Sequence, residues 1–196
     1  MSIVTLVSGG LDSTVMALLA QEENISQFPL FIDYGQLNRV KELQACLENF
    51  RRFRLPTPQT VRLGGYGALL SSGLTDPNKR IFEDAFLPCR NLFFLTTGAA
   101  YAHQCGAGAL AIGLLDESFS LFPDQTVDFI RNAEALISKG LGHPIRIIAP
   151  LMSFSKGEVV RIAREKGLDG TYSCHAGTDT PCGVCVSCRE YTDVEV

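Results

Sequence analysis

Short continuous apolar runs and helical apolar stripes alternate along this chain. The first such run, at residues 3–7, is typical of a buried strand, and further strands are predicted at residues 28–33, 59–63, 109–115 and 145–149. Between them, apolar residues spaced three and four apart predict helices over residues 14–22, 39–52, 92–104, 126–139 and 155–166. Strands that alternate with helices form a parallel sheet covered on both faces, with the site at the carboxyl ends of the strands. We therefore predict a Rossmann-like α/β fold with five parallel strands.

Local signals refine these elements. The predicted buried face of helix 39–52 carries Val40, Leu43, Leu47 and Phe50. Gly140 is placed to end helix 126–139. Residues 64–86 are rich in Gly, Ser, Asp and Pro and predict a long loop without regular structure, which we interpret as a lid over the site.

Composition narrows the classes of function. A chain of 196 residues fits one α/β domain with a small appendage, which we place at residues 1–168 and 169–196. The formal charge of −4 argues against a surface built to coat nucleic acid. Polar residues interrupt every apolar run well short of a membrane span. The first predicted strand begins at residue 3 and leaves no room for a secretory signal, so we expect a cytoplasmic protein.

The most informative stretch follows the first strand and reads Ser8-Gly9-Gly10-Leu11-Asp12-Ser13-Thr14. Adjacent glycines let successive N–H groups turn toward one centre, and a helix start adds free N–H groups and a positive dipole end. Such a nest binds phosphate or pyrophosphate. The stretch lacks the lysine of Gly-x-x-x-x-Gly-Lys-Ser/Thr, which argues against a kinase- or GTPase-type site. The alternative is a glycine turn in which Asp12 or Ser13 only caps the helix.

Four of the seven cysteines crowd into the end of the chain, at Cys174, Cys182, Cys185 and Cys188. Two successive Cys-x-x-Cys steps bring three thiolates around one centre, and Cys174 completes a tetrahedron, which predicts a structural zinc site, a zinc knuckle. A cubane iron–sulfur cluster and two disulfides are the alternatives, and His175 is an alternative ligand to Cys174.

The remaining three cysteines lie apart from this cluster. We interpret Cys46 and Cys105 as small buried apolar residues of helices. Cys89 lies beside Arg90, but without a histidine nearby in the sequence a nucleophilic role is not favoured.

Together these motifs carry a family resemblance. The glycine stretch resembles the PP-loop, Ser-Gly-Gly-x-Asp-Ser, of the ATP pyrophosphatases, which cleave ATP between its α and β phosphates and transfer AMP to a substrate oxygen. Because the glycine stretch and the four C-terminal cysteines occur together, the chain resembles the 7-cyano-7-deazaguanine synthase family. The other matching motifs are Asp33-Tyr34-Gly35-Gln36, Pro88-Cys89-Arg90-Asn91, Phe122-Pro123-Asp124, Ala149-Pro150-Leu151 and Ser155-Lys156-Gly157-Glu158.

The resemblance implies a reaction of ATP, ammonia and 7-carboxy-7-deazaguanine that passes through an acyl adenylate and an amide to the nitrile, releasing AMP and pyrophosphate. It implies ATP, Zn²⁺ and Mg²⁺ as cofactors and a homodimer. The implied ATP-binding residues are Val7, Ser8, Gly9, Gly10, Leu11, Asp12, Ser13, Thr14, Tyr34 and Gln36. The implied catalytic residues are Asp12, Ser13, Arg90 and Lys156, and the implied substrate-binding residues are Arg90, Asn91, Glu117 and Asp124.

Specific roles are expected for some of these residues. We expect Asp12 to hold Mg²⁺ or orient the loop, and Arg90 and Lys156 to neutralise phosphate or adenylate charge. Asp124 is expected to accept hydrogen bonds from the donor edge of a guanine-like base.

The chain departs from the family's usual pattern on the acceptor side, at Leu37-Asn38, Cys89, residues 118–122 and Gln125-Thr126. An alternative function is therefore a paralogue that adenylates a deazapurine or other carboxylate and transfers it to a different amine or a macromolecular partner.

Overall fold

The computed structural model describes residues 2–192 and confirms the predicted fold class. Its strands are β1 (Ser2–Val7), β2 (Ser26–Asp33), β3 (Gln59–Arg62), β4 (Ala109–Ala111) and β5 (Arg146–Ile148). Its helices are α1 (Leu11–Glu22), α2 (Arg39–Arg52), α3 (Gly65–Leu69), α4 (Arg90–Cys105), α5 (Val127–Leu141), α6 (Lys156–Glu165) and α7 (Val186–Arg189). Short 3₁₀ turns cover Glu117–Phe119 and Pro123–Gln125. None of the helices within residues 2–192 has the length and apolarity to cross a bilayer.

The five strands form one parallel sheet in the order β3-β2-β1-β4-β5. The central strand β1 is covered on both sides, and its Val4 and Thr5 are fully buried. One apolar core contains side chains of α1, α2 and α6, and the other contains side chains of α4 and α5. Helices therefore pack on both faces, as the alternating pattern predicts.

This strand order places a switch point between β1 and β4. From β1 the chain winds outward through β2 and β3, then returns to β4 on the other side of β1 and continues to β5. In an open parallel sheet, the loops that leave the two strands at such a point diverge and leave a crevice. Here those loops are the glycine stretch after β1 and residues 112–116 after β4.

The predicted buried face of α2 is wrong in part. Phe50 is buried, but Val40 and Leu47 are exposed, and Ala45 and Cys46 take the buried positions. The cause is the glycine stretch: an added Cβ on Gly9 would lie 2.1 Å from the Glu42 carbonyl oxygen and 2.8 Å from the Cys46 amide nitrogen. Since α2 packs backbone to backbone against this loop, small residues, not the larger apolar ones, face it.

Other element boundaries also differ from the prediction. Helix α1 begins at Leu11, three residues earlier than predicted, so Asp12 and Ser13 lie in its first turn. Helix α5 runs through Gly140 and ends at Leu141, with Gly142 as its left-handed cap. Strands β4 and β5 are only three residues long.

Residues 64–86 are not the structureless loop that composition predicts. They begin with α3 and continue through turns in which the Gly73 N–H donates to the Asp84 carbonyl and the Leu37 N–H donates to the Leu74 carbonyl. Leu74 and Ala85 are buried, and both line the cleft described below. Serine and aspartate side chains that bond to nearby backbone supply order here without a regular element. Whether this segment moves as a lid stays a prediction.

The segment that follows α6 packs directly on the α/β layers. The Tyr172 N–H donates to the Gly9 carbonyl at 3.0 Å, and the Asn38 side chain donates to the Cys174 carbonyl at 3.1 Å. These bonds join the cysteine segment to the glycine stretch and to the start of α2. The predicted division into residues 1–168 and 169–196 stays a prediction, and its last four residues lie outside the described part of the chain.

We expect Gly9→Ala to destabilise the fold strongly. Gly9 has φ +83°, and the added methyl group would overlap the Glu42 carbonyl oxygen. The left-handed backbone alone costs a residue with a Cβ about 1–2 kcal/mol, so we expect a loss of more than about 2 kcal/mol in the free energy of unfolding, measured by urea denaturation.

Gly140→Ala is the matched control. Gly140 lies inside α5 with no atom within 4 Å of an added Cβ, so this change should add up to about 1 kcal/mol of stability. Equal stability of Gly9→Ala and the unaltered protein would contradict the close approach of α2 to the loop.

Candidate functional site

The glycine stretch forms a compact turn whose side chains hold its own backbone. The Ser8 N–H donates to Ser13 Oγ at 3.1 Å, and the Gly10 N–H donates to Ser8 Oγ at 3.3 Å. Thr14 Oγ1 donates to the Gly10 carbonyl at 2.8 Å. The hydroxyl residues of the motif therefore fix the loop in shape before any ligand binds.

The first turn of α1 points free donors out of this loop. Gly10 is the N-cap and no side chain caps the helix, so the alternative in which Asp12 or Ser13 serves as a cap is wrong. Within residues 2–192, the N–H groups of Leu11, Asp12 and Ser13 have no intrahelical acceptor, as expected for a first turn. Together with the positive end of the helix dipole, they form an anion-binding nest.

Asp12 uses its carboxylate for a partly buried ion pair. Lys156 Nζ lies 2.9 Å from each carboxylate oxygen of Asp12 and 3.0 Å from Glu190 Oε2, and it lies 4.8 Å from the centre of the Tyr191 ring. Burial lowers the pKa of Lys156, but the two carboxylates outweigh burial and hold that pKa above its ordinary value. Lys156 is therefore a fixed positive charge at the edge of the nest.

The start of α6 holds Lys156 in place. Ser155 Oγ accepts from the Glu158 N–H, and Glu158 Oε2 accepts from the Ser155 N–H at 2.7 Å, which is a complete capping box. Lys156 is the first residue of the capped helix, so the position of its backbone is fixed independently of the ion pair.

A cleft with two chambers surrounds the nest. The inner chamber, of about 240 Å³, lies between the glycine stretch, the end of β2 and the start of α4. The outer chamber, of about 510 Å³, lies between residues 113–116, Phe119, Lys156 and Arg189. Both chambers are lined by Asp12 and Gly113, so the Asp12–Lys156 pair lies where they meet.

The structure distributes the expected ATP-binding residues between the chamber wall and its support. Seven of the ten expected ATP-binding residues line the inner chamber, namely Val7, Ser8, Gly10, Asp12, Ser13, Tyr34 and Gln36. Gly9, Leu11 and Thr14 lie behind the wall, where they fix the turn and join the apolar core.

Of the expected substrate-binding residues, two line the inner chamber and two do not. Arg90 and Asn91 begin α4 and line it. Asp124 is buried and accepts from the Asn91 N–H at 3.0 Å, so it anchors the start of α4 from outside the chamber lining. Glu117 accepts from the Val127 N–H and lies outside both chambers. The substrate-binding roles of all four residues stay predictions.

Glu42 is a residue of the chamber wall that sequence analysis missed. Gln36 Nε2 donates to Glu42 Oε2 at 3.0 Å, and burial raises the pKa of Glu42 to about 7 even though the Gln36 donor and Arg90 oppose the shift. Burial likewise raises the pKa of the neighbouring Tyr34 to about 12. No local sequence pattern distinguishes Glu42 from the exposed Glu48 of the same helix.

His175 also lines the inner chamber. Its Nδ1 atom is buried and has no hydrogen-bond partner among the described residues, and burial, aided by the Arg90 charge, lowers the pKa of its ring to about 4. His175 does not replace Cys174 as a ligand, because the described sulfur cluster includes Cys174 itself.

The four cysteines of the C-terminal segment form a cluster with the geometry to hold a metal ion. Sulfur atoms of Cys174, Cys182, Cys185 and Cys188 all lie within 4.8 Å of one another. Backbone N–H groups of Cys182, Cys185 and Cys188 donate to sulfurs of the set, which favours thiolate charge. All four thiols are free, so the disulfide alternative is wrong for this structure. Cys46 is buried as expected, Cys105 is half-buried, and Cys89 is exposed.

The protein family and the individual relatives that match this chain agree with one another. The family described as "Queuosine biosynthesis protein QueC" matches residues 2–193. The 7-cyano-7-deazaguanine synthase of Acetivibrio thermocellus is 36% identical over 200 residues, covering 94% of this chain and 88% of that protein. The enzyme of the same name from Nitrosococcus oceani is 37% identical over 204 residues, covering 95% and 89%.

Solved structures with lower identity share the fold. The U34-tRNA thiolase NcsA from Methanococcus maripaludis, solved with its 4Fe–4S cluster, has a TM-score of 0.59 at 19% identity, over 91% of this chain and 61% of that one. NMN synthetase from Francisella tularensis has a TM-score of 0.57 at 16% identity, over 91% and 68%.

We expect Cys185→Ser to abolish metal binding and destabilise the C-terminal segment, because Cys185 is fully buried in the cluster and a neutral hydroxyl is a poor ligand for a thiolate-type ion. Elemental analysis should give about one metal ion per unaltered chain. A chelator should lower the melting temperature of that protein but not that of the variant.

Cys105→Ser is the matched control, since Cys105 lies in α4 outside the cluster and should leave metal content unchanged. Full metal content in Cys185→Ser would contradict the four-sulfur site.

Proposed function

This chain belongs to the queuosine biosynthesis protein QueC family, and from that membership we propose that it converts 7-carboxy-7-deazaguanine, ammonia and ATP to 7-cyano-7-deazaguanine. The observation that carries the proposal is the anion nest of the glycine stretch with Lys156 fixed at its edge. Family membership and the fold indicate that this chain is an ATP-using enzyme of the PP-loop type. The identity of the substrate and the release of AMP as a product are what we propose.

The nest accounts for the first chemical step. A carboxylate oxygen of the acid attacks the α-phosphorus of ATP, and the bond to the leaving pyrophosphate breaks. Free N–H groups in the first turn of α1 stabilise the charge that develops on pyrophosphate, because they are aimed and held before the reaction. The product is an acyl adenylate, which ammonia converts to the amide.

A second adenylation completes the reaction. The amide oxygen attacks a second ATP, pyrophosphate leaves again, and loss of AMP leaves the nitrile. The same nest serves both steps, because both leaving groups are pyrophosphate.

Two cations balance the charge of these steps. Lys156 lines the outer chamber at the edge of the nest where we place the phosphates, and Arg90 lines the inner chamber at the start of α4. Both carboxylate oxygens of Asp12 contact Lys156, so we assign Asp12 the role of orienting the lysine. Mg²⁺ would then enter with the phosphates of ATP.

Zinc is the proposed metal of the cysteine cluster. Four thiolates at about 2.3 Å from one tetrahedral ion lie about 3.8 Å apart, and Cys182 Sγ and Cys188 Sγ are 3.9 Å apart. A cubane holds each thiolate on a different iron atom and spaces them more widely. With four sulfur ligands and no open position, zinc supplies structural stability here and no reaction chemistry.

The alternative function keeps the adenylation and changes the acceptor. Gln125 and Thr126, which depart from the usual family pattern, have structural roles: Gln125 Oε1 accepts from the Phe122 N–H and Thr126 caps α5. Gln125 nevertheless lines both chambers, and the departing residues 119–122 each line one of them, so these departures are placed to alter the choice of acid or amine. The implied homodimer, a protein partner for the alternative function and a cytoplasmic location stay predictions.

The test is a pyrophosphate-release assay with ATP, Mg²⁺ and 7-carboxy-7-deazaguanine, with and without ammonium, followed by mass spectrometry. We expect nitrile and two AMP per acid. Accumulation of adenylate or amide in the presence of ammonium would favour the alternative acceptor. No pyrophosphate release from folded, metal-loaded protein would contradict the proposal.

Lys156→Ala should lower the rate of pyrophosphate release by about 10²–10³-fold, because a positive charge that faces the developing phosphate charge is lost. Lys166→Ala is the matched control: Lys166 caps the other end of α6 and pairs with Glu22 on the surface. Melting temperatures of both variants are measured alongside. Equal rates in the two variants would contradict the assigned role of Lys156.

A further inference from the structure

Glu42 is the one acidic side chain of α2 that lines the inner chamber. Gln36 fixes its carboxylate. The Gln36 side chain donates to Glu42 Oε2 at 3.0 Å and to the Ile32 carbonyl at 3.3 Å, and it accepts from the Tyr34 N–H at 3.0 Å. The orientation of Glu42 is therefore set by the end of β2, and nothing in the proposed adenylation uses it.

The backbone of Glu42 contacts the anion nest directly. The Glu42 carbonyl lies where a Cβ of Gly9 would be, so this turn of α2 is pressed against the loop that binds phosphate. On the chamber wall, Glu42 shares the space with Arg90, Ser13 and His175. A substrate whose carboxyl carbon is bonded through oxygen to the α-phosphorus would therefore place that carbon in the chamber that Glu42 lines.

The surroundings give Glu42 the proton affinity of a base. Burial raises its pKa to about 7, and the Gln36 and Asn38 amides and the Arg90 charge oppose the shift. Tyr34, Cys46 and Tyr172 are the other titratable groups that interact with it. A general base works best when its pKa lies near the working pH.

We propose that Glu42 is the catalytic base that accepts the nitrogen protons in amide and nitrile formation. The inference rests on the proposed function. In the first half, the ammonia lone pair bonds to the acyl carbon, Glu42 takes one N–H proton, and the C–O bond to AMP breaks with its electron pair leaving on AMP.

Glu42 passes the proton of the first half to water. In the second half, the adenylated amide nitrogen loses two protons in turn to Glu42, which passes each of them to water. The electrons of the second N–H bond form the third C–N bond, the C–O bond breaks and AMP leaves. Each step balances without an oxidant, reductant or further reactant.

The test compares Glu42→Gln with Glu48→Gln, an exposed glutamate on the same helix whose carboxylate accepts from Gln44. Glutamine keeps the size of Glu42 and an oxygen that accepts from Gln36, so the fold should be kept, and melting temperatures check this. Without ammonium, a single-turnover burst of pyrophosphate from ATP and the acid measures adenylation alone. With ammonium, amide and nitrile are measured by mass spectrometry.

We expect Glu42→Gln to keep the pyrophosphate burst within about threefold and to lower amide and nitrile formation by about 10²–10³-fold. Starting from the amide, which removes the titration of ammonium from the experiment, the rate of nitrile formation in the unaltered protein should rise with pH through about 7. That rise should be absent in Glu42→Gln and present in Glu48→Gln.

Two results would overturn the assignment. One is nitrile formation by Glu42→Gln at the rate of the unaltered protein, and the other is an equal loss of burst and product, which would make Glu42 a structural residue. If the unaltered protein releases pyrophosphate but makes no amide or nitrile, the proposed function fails instead. Rescue of Glu42→Ala by formate, without rescue of Lys156→Ala, provides a second readout that a structural role would not produce.

Discussion

A buried lysine held between two carboxylates ties the parts of this site together. Asp12 comes from the first turn after β1, Lys156 from the start of α6, and Glu190 from the residue after α7. Lys156 is buried while Asp12 and Glu190 are partly exposed, so the lysine leaves water only where these carboxylates offset its charge, and the ion pairs hold the three side chains in position. Through Glu190 the cysteine segment reaches the edge of the anion nest.

The sheet explains why these groups converge. Because β1 and β4 are neighbours and the chain leaves them in opposite directions, their carboxyl ends open a crevice without any special loop. The glycine stretch, the α4 start with Arg90 and the α6 start with Lys156 all border it. Helix α2 closes the remaining side by packing on Gly9, which brings Glu42 into the same space. In the proposed reaction, phosphate chemistry and proton transfer therefore take place in the same chamber, with the glycine stretch on one wall and Glu42 of α2 on another.

Features encoded in adjacent residues could be predicted from the sequence. The Ser8–Thr14 motif and the Cys-x-x-Cys steps specify a nest and a ligand set by spacing alone, and the alternating pattern specifies five strands. Contacts between distant residues could not be predicted. Asp12 and Lys156 are 144 residues apart, and the backbone of Glu42 packs against Gly9, more than thirty residues earlier. The face of α2 was mispredicted for the same reason: close approach to Gly9 selects small side chains over Val40 and Leu47.

The central claim is that a carboxylate oxygen attacks the α-phosphorus in this cleft. The most direct measurement uses acid labelled with ¹⁸O in both carboxyl oxygens and follows the label into AMP by mass spectrometry. Two successive adenylations transfer both oxygens, so the account predicts that each of the two AMP molecules carries one ¹⁸O and the nitrile carries none. Unlabelled AMP formed together with nitrile would show that water or another group attacks the phosphorus, and would contradict the account.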